Sequence, residues 1–484
     1  MNNEAVSLLP HQAVEPRDRR LVLAMAVLAN LLGNMGLVGI NLALPDLERS
    51  LGLSAVLLGW VPLSQFMAMA AVAAPGAKLA DIWGRRRTTI ISLLLAIAGL
   101  VLSALAREPV SLFVGRVLTG LGLAVVFTNL TAMATSVHPP EMRGRVLGYT
   151  VSSVYVGLSL GPLTCGYLVG WFGWRAVFWL SVAGFLPPLI ICLMVRVEQR
   201  PARGEKLDRL GSLWWLLAIA ALFFGLTNIT QFWTAGGLRL PLGALMMLLG
   251  LIFSVAYVVH SLKSPNPVLD MRLFLESRRF AFSSLAAFIS YSASTGAGLL
   301  LSLYLQYTRA YPAATAGLIL MIQPAFQALI TPFTGRLSDR LDAGLMASAG
   351  MGVLCLALLV LALALTPETP LSVFAAILML LGLGFATFAA PNSNAIIGAA
   401  PPSRVGQAAG TITATRLCGQ VSSIALTTLV FSQVIGPGRI TPDKYPDFMA
   451  AATVCFSIFA PICLVGVLAS LARGRNKVEK AVSR

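Results

Sequence analysis

The most regular feature of the chain is a succession of apolar runs about 20 residues long, separated by short stretches rich in Gly, Pro and charged residues. A helix needs about 20 mainly apolar residues to cross the hydrocarbon core of a bilayer. The pattern therefore predicts an all-α integral membrane protein with fourteen transmembrane helices. The predicted spans are 21–44, 55–75, 88–106, 110–136, 146–169, 175–195, 211–232, 240–260, 280–306, 314–334, 344–365, 371–396, 405–432 and 448–471.

The basic residues alternate between the loops that join these spans. Most of the 35 Lys and Arg residues fall in the N-terminal tail, in every second loop and in the C-terminal tail. Positive charge accumulates on the cytoplasmic side of membrane proteins. The asymmetry predicts an even number of spans and a multi-pass protein of a bacterial-type inner (plasma) membrane, with both termini in the cytoplasm.

A basic, glycine-containing loop, Pro75–Arg87, joins the second and third spans, and a looser copy, Gly335–Arg340, occupies the matching place in the second half. Asp81 and Asp339 each lie about 60 residues after the first span of their half begins. Such a repeat is typical of transporters whose substrate path lies between the halves. The predicted domains are a cytoplasmic tail (1–20), a six-helix bundle (21–196), charged linkers with an inserted helix pair (197–279), a second six-helix bundle (280–471) and a cytoplasmic tail (472–484).

Composition excludes several other classes of protein. Apolar residues make up 57% of the chain and charged residues only 11%, whereas soluble proteins carry about 25% charged residues. The net charge of +16 is spread between apolar runs, so we expect no nucleic-acid partner. The six cysteines lack metal-ligand spacing, and no phosphate-binding loop or hydrolase motif is present. We expect no cofactor, no metal site and no enzymatic activity.

Several short motifs follow one another in order along the predicted spans. They are Asn41–Pro45, Lys78–Asp81 with Gly84–Arg87, Arg116 with Gly120 and Gly122, Gly157–Pro162 with Gly166, Trp174–Phe178, and Arg404–Gly410 with Arg416 and Gly419. In these motifs the chain resembles the major facilitator superfamily, specifically its fourteen-helix drug:proton antiporter branch of the multidrug efflux type. The resemblance implies two six-helix bundles plus two inserted helices. It also implies a secondary active transporter that exports amphipathic organic compounds by alternating access, coupled to protons.

The motifs supply the candidates for gating and conformational change, which are Asp81, Arg85, Arg116, Gly157, Gly161, Pro162 and Asp339. We expect Asp81 to accept hydrogen bonds from a helix N-terminus or an arginine of the opposite half, and so to hold the cytoplasmic side shut. Arg116 lies well inside a span, where it either braces the N-terminal half or handles substrate or protons. Gly157, Gly161 and Gly166 fall near one helix face and predict close packing, and Pro162 predicts a kink.

One departure from the resemblance bears on energy coupling. Drug:proton antiporters generally place a carboxylate in the first span, at the position that Gly36 occupies here. No Asp or Glu lies in the interior of a predicted span, and proton coupling needs a group that titrates. Coupling would then fall to an edge carboxylate, Asp46 or Asp81, or to the substrate itself. The alternative is a facilitator or substrate-coupled carrier without proton antiport, and a sensor or scaffold with the same fold is a third hypothesis.

The predicted span interiors are polar without being acidic. The candidates for substrate binding are Asn30, Asn34, Asn129, Tyr291, Gln323, Gln327, Asn394 and Arg416. Amides and hydroxyls among Phe and Met side chains suit an amphipathic organic solute, although each polar residue has an alternative role as a bond between helices. Arg416 is the candidate to meet an anionic or polar substrate. The expected partners are a small-molecule substrate and the lipid bilayer, a periplasmic adaptor is left open, and we expect a monomer.

Overall fold

The computed structural model describes residues 15–195, 207–228, 242–338, 341–401 and 404–473, and all regular secondary structure in these ranges is helical. The helices are α1 (Pro16–Leu51), α2 (Ala55–Trp83), α3 (Arg85–Ala104), α4 (Pro109–Ser136), α5 (Pro140–Phe172), α6 (Arg175–Met194), α7 (Arg209–Asn228), α8 (Leu242–Lys263), α9 (Arg272–Glu276), α10 (Arg278–Leu303), α11 (Ala313–Leu320), α12 (Ile322–Ser338), α13 (Ala343–Ala364), α14 (Leu371–Gly398), α15 (Val405–Val434) and α16 (Tyr445–Ala472). A single π-helical turn, Tyr304–Thr308, follows α10.

Fourteen segments of the described ranges are long and apolar enough to cross a membrane, which confirms the predicted number. Several helices extend beyond the predicted spans. The helix α1 begins at Pro16, because proline at the first helical position loses no hydrogen bond. It ends before Gly52, whose φ of 66° is left-handed and whose N–H bonds to the carbonyl oxygen of Glu48. The predicted spans 211–232 and 240–260 extend partly into 229–241, outside the described residues.

The same packing order occurs twice along the chain. In the first half, α1 packs against α5 and α6, and α3 packs against α4 and α6. In the second half, α10 packs against α15 and α16, and α13 packs against α14 and α16. The two halves meet mainly where α2 packs against α15 and where α5 packs against α11 and α12. The internal repeat suggested by the two basic loops is therefore a structural repeat, while the residue limits of the domains stay a prediction.

The inserted helices α7 and α8 pack against each other, and α7 also contacts both α2 and α15. The indole nitrogen of Trp215 donates a hydrogen bond to the carbonyl oxygen of Ala70 in α2 at 3.1 Å. The ring of Phe224 packs edge-on against Trp60 in α2, with 5.9 Å between the ring centroids. The inserted pair thus lies over one of the two lines along which the halves meet.

Arg473, counted from the sequence as a basic residue of the C-terminal tail, is only 5% exposed. Its guanidinium donates hydrogen bonds to Oδ1 of Asn392 in α14 at 3.0 Å, to Oγ of Ser283 in α10 at 3.2 Å and to the carbonyl oxygen of Gly344 in α13. Burial lowers the pKa of Arg473 to about 10, so the side chain is still charged at neutral pH. One cation therefore joins four helices of the second half.

Candidate substrate cavity

A cavity of about 990 Å³ lies between the two halves. Its walls come from α1, α2, α4 and α5 of the first half and from α10, α12, α14 and α15 of the second. At one end, called here the open end, it is bordered by Asp81, Arg85 and Gly406. At the opposite end, called here the sealed end, contacts between the halves close it. The volume falls in the range of sites for drug-sized molecules.

All eight residues predicted to bind substrate line this cavity: Asn30, Asn34, Asn129, Tyr291, Gln323, Gln327, Asn394 and Arg416. Two of them also carry local structure. Nδ2 of Asn34 donates to the carbonyl oxygen of Asn30 at 2.7 Å. Nδ2 of Asn129 donates to Oγ1 of Thr88 at 3.1 Å, which ties α4 to α3. Asn34 and Asn129 therefore line the cavity and also stabilise the helices. A role of the eight residues in substrate binding stays a proposal.

Tyr155 in α5 is a cavity residue that the sequence analysis did not single out. Its side chain lies beside Thr331 and Gln327, which line the same cavity from α12 of the other half. A signal was present, because Val151, Tyr155 and Pro162 of the lining recur at helical spacing and so mark one face of α5. Tyr155 therefore lies where the two halves face each other inside the cavity.

Arg416 in α15 is the cation of the cavity wall that lies away from the open end. Its Nε is buried and has no hydrogen-bond partner among the described residues. Tyr155 lies close enough to interact electrostatically with both Arg416 and Tyr291. The aromatic ring of Tyr291 packs in turn against Phe385 at 6.0 Å between centroids. The centre of the cavity thus combines a cation, phenol hydroxyls and aromatic surface.

The sealed end is held by Glu48, a residue near the end of α1 that is only 4% exposed. One carboxylate oxygen accepts a hydrogen bond from the hydroxyl of Tyr307 in the π-helical turn of the second half. The other accepts a hydrogen bond from the backbone N–H of Ile440 at 2.7 Å. Glu48 lies just outside the first predicted span, 21–44, and neither its burial nor its bonds to the second half were visible in the sequence pattern.

Three further contacts close the sealed end. Oγ of Ser302 in α10 donates to the carbonyl oxygen of Asn41 in α1 at 2.9 Å. A methyl group added at Gly317 would collide with the carbonyl oxygen of Pro162, and one added at Gly166 would collide with that of Ala313. The backbones of α5 and α11 therefore approach as closely as only glycine allows.

The glycines of the α5 motif face two different neighbours. Gly157 and Gly161 pack against the backbone of α1 at Leu31 and Met35. Gly166 points instead at α11 of the opposite half, because a step of five residues rotates the side-chain direction well away from the shared face. The prediction of one common face is therefore correct for Gly157 and Gly161 and wrong for Gly166. Pro162 lines the cavity next to this contact.

Asp81, in the last turn of α2, forms an ion pair at the open end with Arg85, the first residue of α3, with Oδ1 and Nη2 separated by 2.9 Å. The loop predicted over Pro75–Arg87 is therefore reduced to Gly84 between two helices. The predicted bond to the opposite half is not formed among the described residues, where Asp81 is bonded to Arg85 instead. Asp339, the residue that matches Asp81 in the second half, lies outside the described residues.

Arg116 lies outside the cavity, inside the first half. Its Nε donates to the carbonyl oxygen of Val61 in α2 at 3.0 Å, and its guanidinium lies 5.9 Å from the ring centroid of Phe178 in α6. These contacts favour the bracing role over substrate handling. Gly36, where antiporters of this type carry a carboxylate, borders the same small internal pocket as Arg116.

Asp46, the other proton-coupling candidate, lies near the sealed end and does not belong to the described cavity lining. Its side chain is one-third exposed, and its Oδ1 lies 3.7 Å from Nη1 of Arg49. In the described part of the chain, no group of three His, Cys, Asp or Glu side chains is placed to hold a metal ion.

Comparisons with known proteins agree with this architecture. The model of the Major Facilitator Superfamily matches residues 23–265 and 283–484. The chain is 28% identical to the multidrug resistance protein Stp of Mycobacterium tuberculosis, over 80% of this chain and 71% of that protein. It is 22% identical to the riboflavin transporter RibZ of Clostridioides difficile, over 92% of this chain and 95% of that protein. A crystal structure of an auto-inhibited POT family peptide transporter shares the fold, with a TM-score of 0.71 over 95% of this chain and 96% of that chain at 16% identity.

Proposed function

This chain belongs to the Major Facilitator Superfamily, and we propose that it exports amphipathic organic compounds by alternating access. It is a multi-pass membrane transporter of small molecules and not an enzyme. The observation that carries the proposal is the cavity between the halves, open at one end and sealed at the other, with a wall of amides, hydroxyls and aromatic rings. A relative named as a multidrug resistance protein supports an export role.

In this proposal the open end faces the cytoplasm. The basic first turn of α3, which carries Arg85, Arg86 and Arg87, lies at that end, and positively charged segments stay on the cytoplasmic side. A compound would enter from the cytoplasm and bind in the cavity. The halves would then rock, so that the contacts of Glu48 and Ser302 at the sealed end break while the end of α2 and the start of α3 close on the other half. Asp81 would find its partner in the opposite half only in that second state.

For energy coupling, we propose proton antiport through the edge carboxylates Asp46 and Asp81. Both side chains are partly exposed to water, Asp81 on the open side and Asp46 on the sealed side. The alternative, a facilitator or substrate-coupled carrier without proton antiport, has an observation of its own in its favour. Asp81 is the acidic residue of the described cavity wall, and it is already paired with Arg85 at the entrance.

Transport into and out of proteoliposomes tests both versions. A panel of fluorescent cationic, neutral and anionic amphiphiles would be followed with and without an imposed pH gradient. Flux that follows the gradient, and that loses this dependence in Asp46→Asn or Asp81→Asn, supports antiport, with exposed Glu108→Gln as the control. Flux indifferent to the gradient supports the facilitator. A protein that moves no compound of any charge, and whose thermal stability no compound raises, contradicts the transport proposal.

A further inference from the structure

The charges of the cavity wall are unevenly distributed. Its charged side chains, in the part of the chain that the structure describes, are Asp81, Arg85 and Arg416. Asp81 and Arg85 neutralise each other at the open end, where Arg85 contacts Asp81 through both Nε and Nη2. The charge that faces the interior of the cavity is therefore the positive charge of Arg416.

The side chain of Arg416 has a hydrogen-bond donor that no described residue accepts. None of the ion pairs found among the described residues includes it, and its buried Nε donates no hydrogen bond there. An arginine inside a membrane protein keeps its charge and is costly without a partner. A buried donor left unpaired adds to that cost. An anionic group arriving in the cavity would satisfy both needs with charge-assisted hydrogen bonds.

The residues that line the cavity with Arg416 offer polar and apolar contacts to the rest of such a ligand. Tyr155 lies close to the guanidinium, and Tyr291 and Gln327 add a hydroxyl and an amide to the lining of the same cavity. The rings of Phe66, Phe127 and Phe385 line the same cavity and give apolar surface for a hydrocarbon or aryl body. A cationic ligand finds no such fit, because it would meet the charge of Arg416 without a free carboxylate nearby.

We propose that the cavity selects amphipathic organic anions, such as aryl carboxylates or sulfonates, whose acidic group pairs with Arg416. This inference rests on the proposed transport function and adds the charge of its substrate. It also supplies a driving force that needs no acidic residue within the cavity. The potential of an energised membrane, negative inside, drives an anion outward.

A matched ligand series tests the inference by equilibrium dialysis on the full chain in zwitterionic nanodiscs. The probes are 1-naphthaleneacetate, its neutral amide and 2-(1-naphthyl)ethylammonium, which share one aromatic body and differ in charge. We expect the acetate to bind at least about tenfold more tightly than the amide, the difference typical of one charged hydrogen-bonded pair. In Arg416→Gln the two should bind within about twofold of each other, whereas Arg416→Lys should keep part of the preference. Arg107→Gln removes an exposed cation far from the cavity and should change nothing.

The outcomes separate this inference from the proposed function. Equal or tighter binding of the amide or the ammonium by the wild-type chain overturns anion selectivity, and so does a preference that survives Arg416→Gln. The wild-type ranking decides even if the variant proves unstable, and retained amide binding shows that the variant is folded. If the ammonium or amide is transported in proteoliposomes without preference for the acetate, the anion inference fails and the transporter stands. If no amphiphile of any charge is transported, the proposed function itself fails.

Discussion

Glu48, near the end of α1, accepts a hydrogen bond from the hydroxyl of Tyr307, a residue 259 positions later in the other half of the chain. The same carboxylate accepts the N–H of Ile440, and Arg49, Arg439 and Tyr445 complete the polar and charged surroundings of this pair. One buried acid therefore binds two separate segments of the second half. Opening the sealed end requires that these bonds break.

Replacing Glu48 should loosen the sealed end. Glu48→Ala leaves the N–H of Ile440 and the hydroxyl of Tyr307 without their acceptor, a loss of about 1–3 kcal/mol that favours the opened state. The measurement is the rate at which an impermeant maleimide, applied from the sealed side, labels Leu42→Cys in a chain without its native cysteines. The rate should rise several-fold or more in Glu48→Ala. Glu48→Gln should fall between Glu48→Ala and the unchanged chain, because the amide keeps one acceptor.

Exposed Glu108, on a loop at the same end, provides the matched control, and Glu108→Ala should label at the original rate. Equal labelling rates for Glu48→Ala and the unchanged chain would show that the carboxylate does not hold the seal.

Two glycines one turn apart on α5 allow a paired test of the contact between α5 and α11. Gly166→Ala places a methyl group against the carbonyl oxygen of Ala313, whereas nothing lies near a methyl group at Gly170. Overpacking of this kind costs about 1–3 kcal/mol. We expect Gly166→Ala to lower the unfolding temperature in detergent and to reduce transport. Gly170→Ala should change both very little, and equal effects of the two substitutions would refute the close contact.

Restoring the carboxylate of the first span should be possible only together with a second change. A side chain at position 36 collides with the hydroxyl of Ser181 in α6, while the pocket beside it holds the guanidinium of Arg116. Gly36→Asp alone should therefore destabilise the protein. Adding Ser181→Gly should recover stability beyond the sum of the single effects, by about 0.5–3 kcal/mol of coupling in a double-mutant cycle. Strict additivity would show that Ser181 does not limit this site.

Arg473 should be a major stabilising residue of the second half. Arg473→Ala removes the donors that serve Asn392, Ser283 and Gly344, all of them buried around the guanidinium. Each buried acceptor left without its donor costs about 1–3 kcal/mol. Thermal unfolding should show a large decrease in midpoint temperature, and exposed Arg107→Ala should show none. A normal midpoint for Arg473→Ala would mean that its bonds add nothing to stability.

Much of the candidate site was accessible from the sequence because polar residues inside apolar runs are rare and expensive. The eight predicted binding residues all lie on one cavity, since a polar group in a membrane helix turns toward the interior of the bundle. The same rule did not show whether a polar side chain lies within one half or on the cavity wall between the halves. Arg116 and Arg416 look alike in sequence, yet one lies within the first half and the other on the cavity wall between the halves.

The sequence by itself determined the fourteen spans and the internal repeat, because hydrophobic thickness and charged loops are local properties that the bilayer imposes on each segment. The tertiary structure alone decided which polar groups meet, such as Glu48 with Tyr307 and Ser302 with Asn41. The physical reason is that lipid and neighbouring helices are equally apolar. The hydrophobic pattern of a membrane helix therefore carries little information about the face that it turns toward its partners.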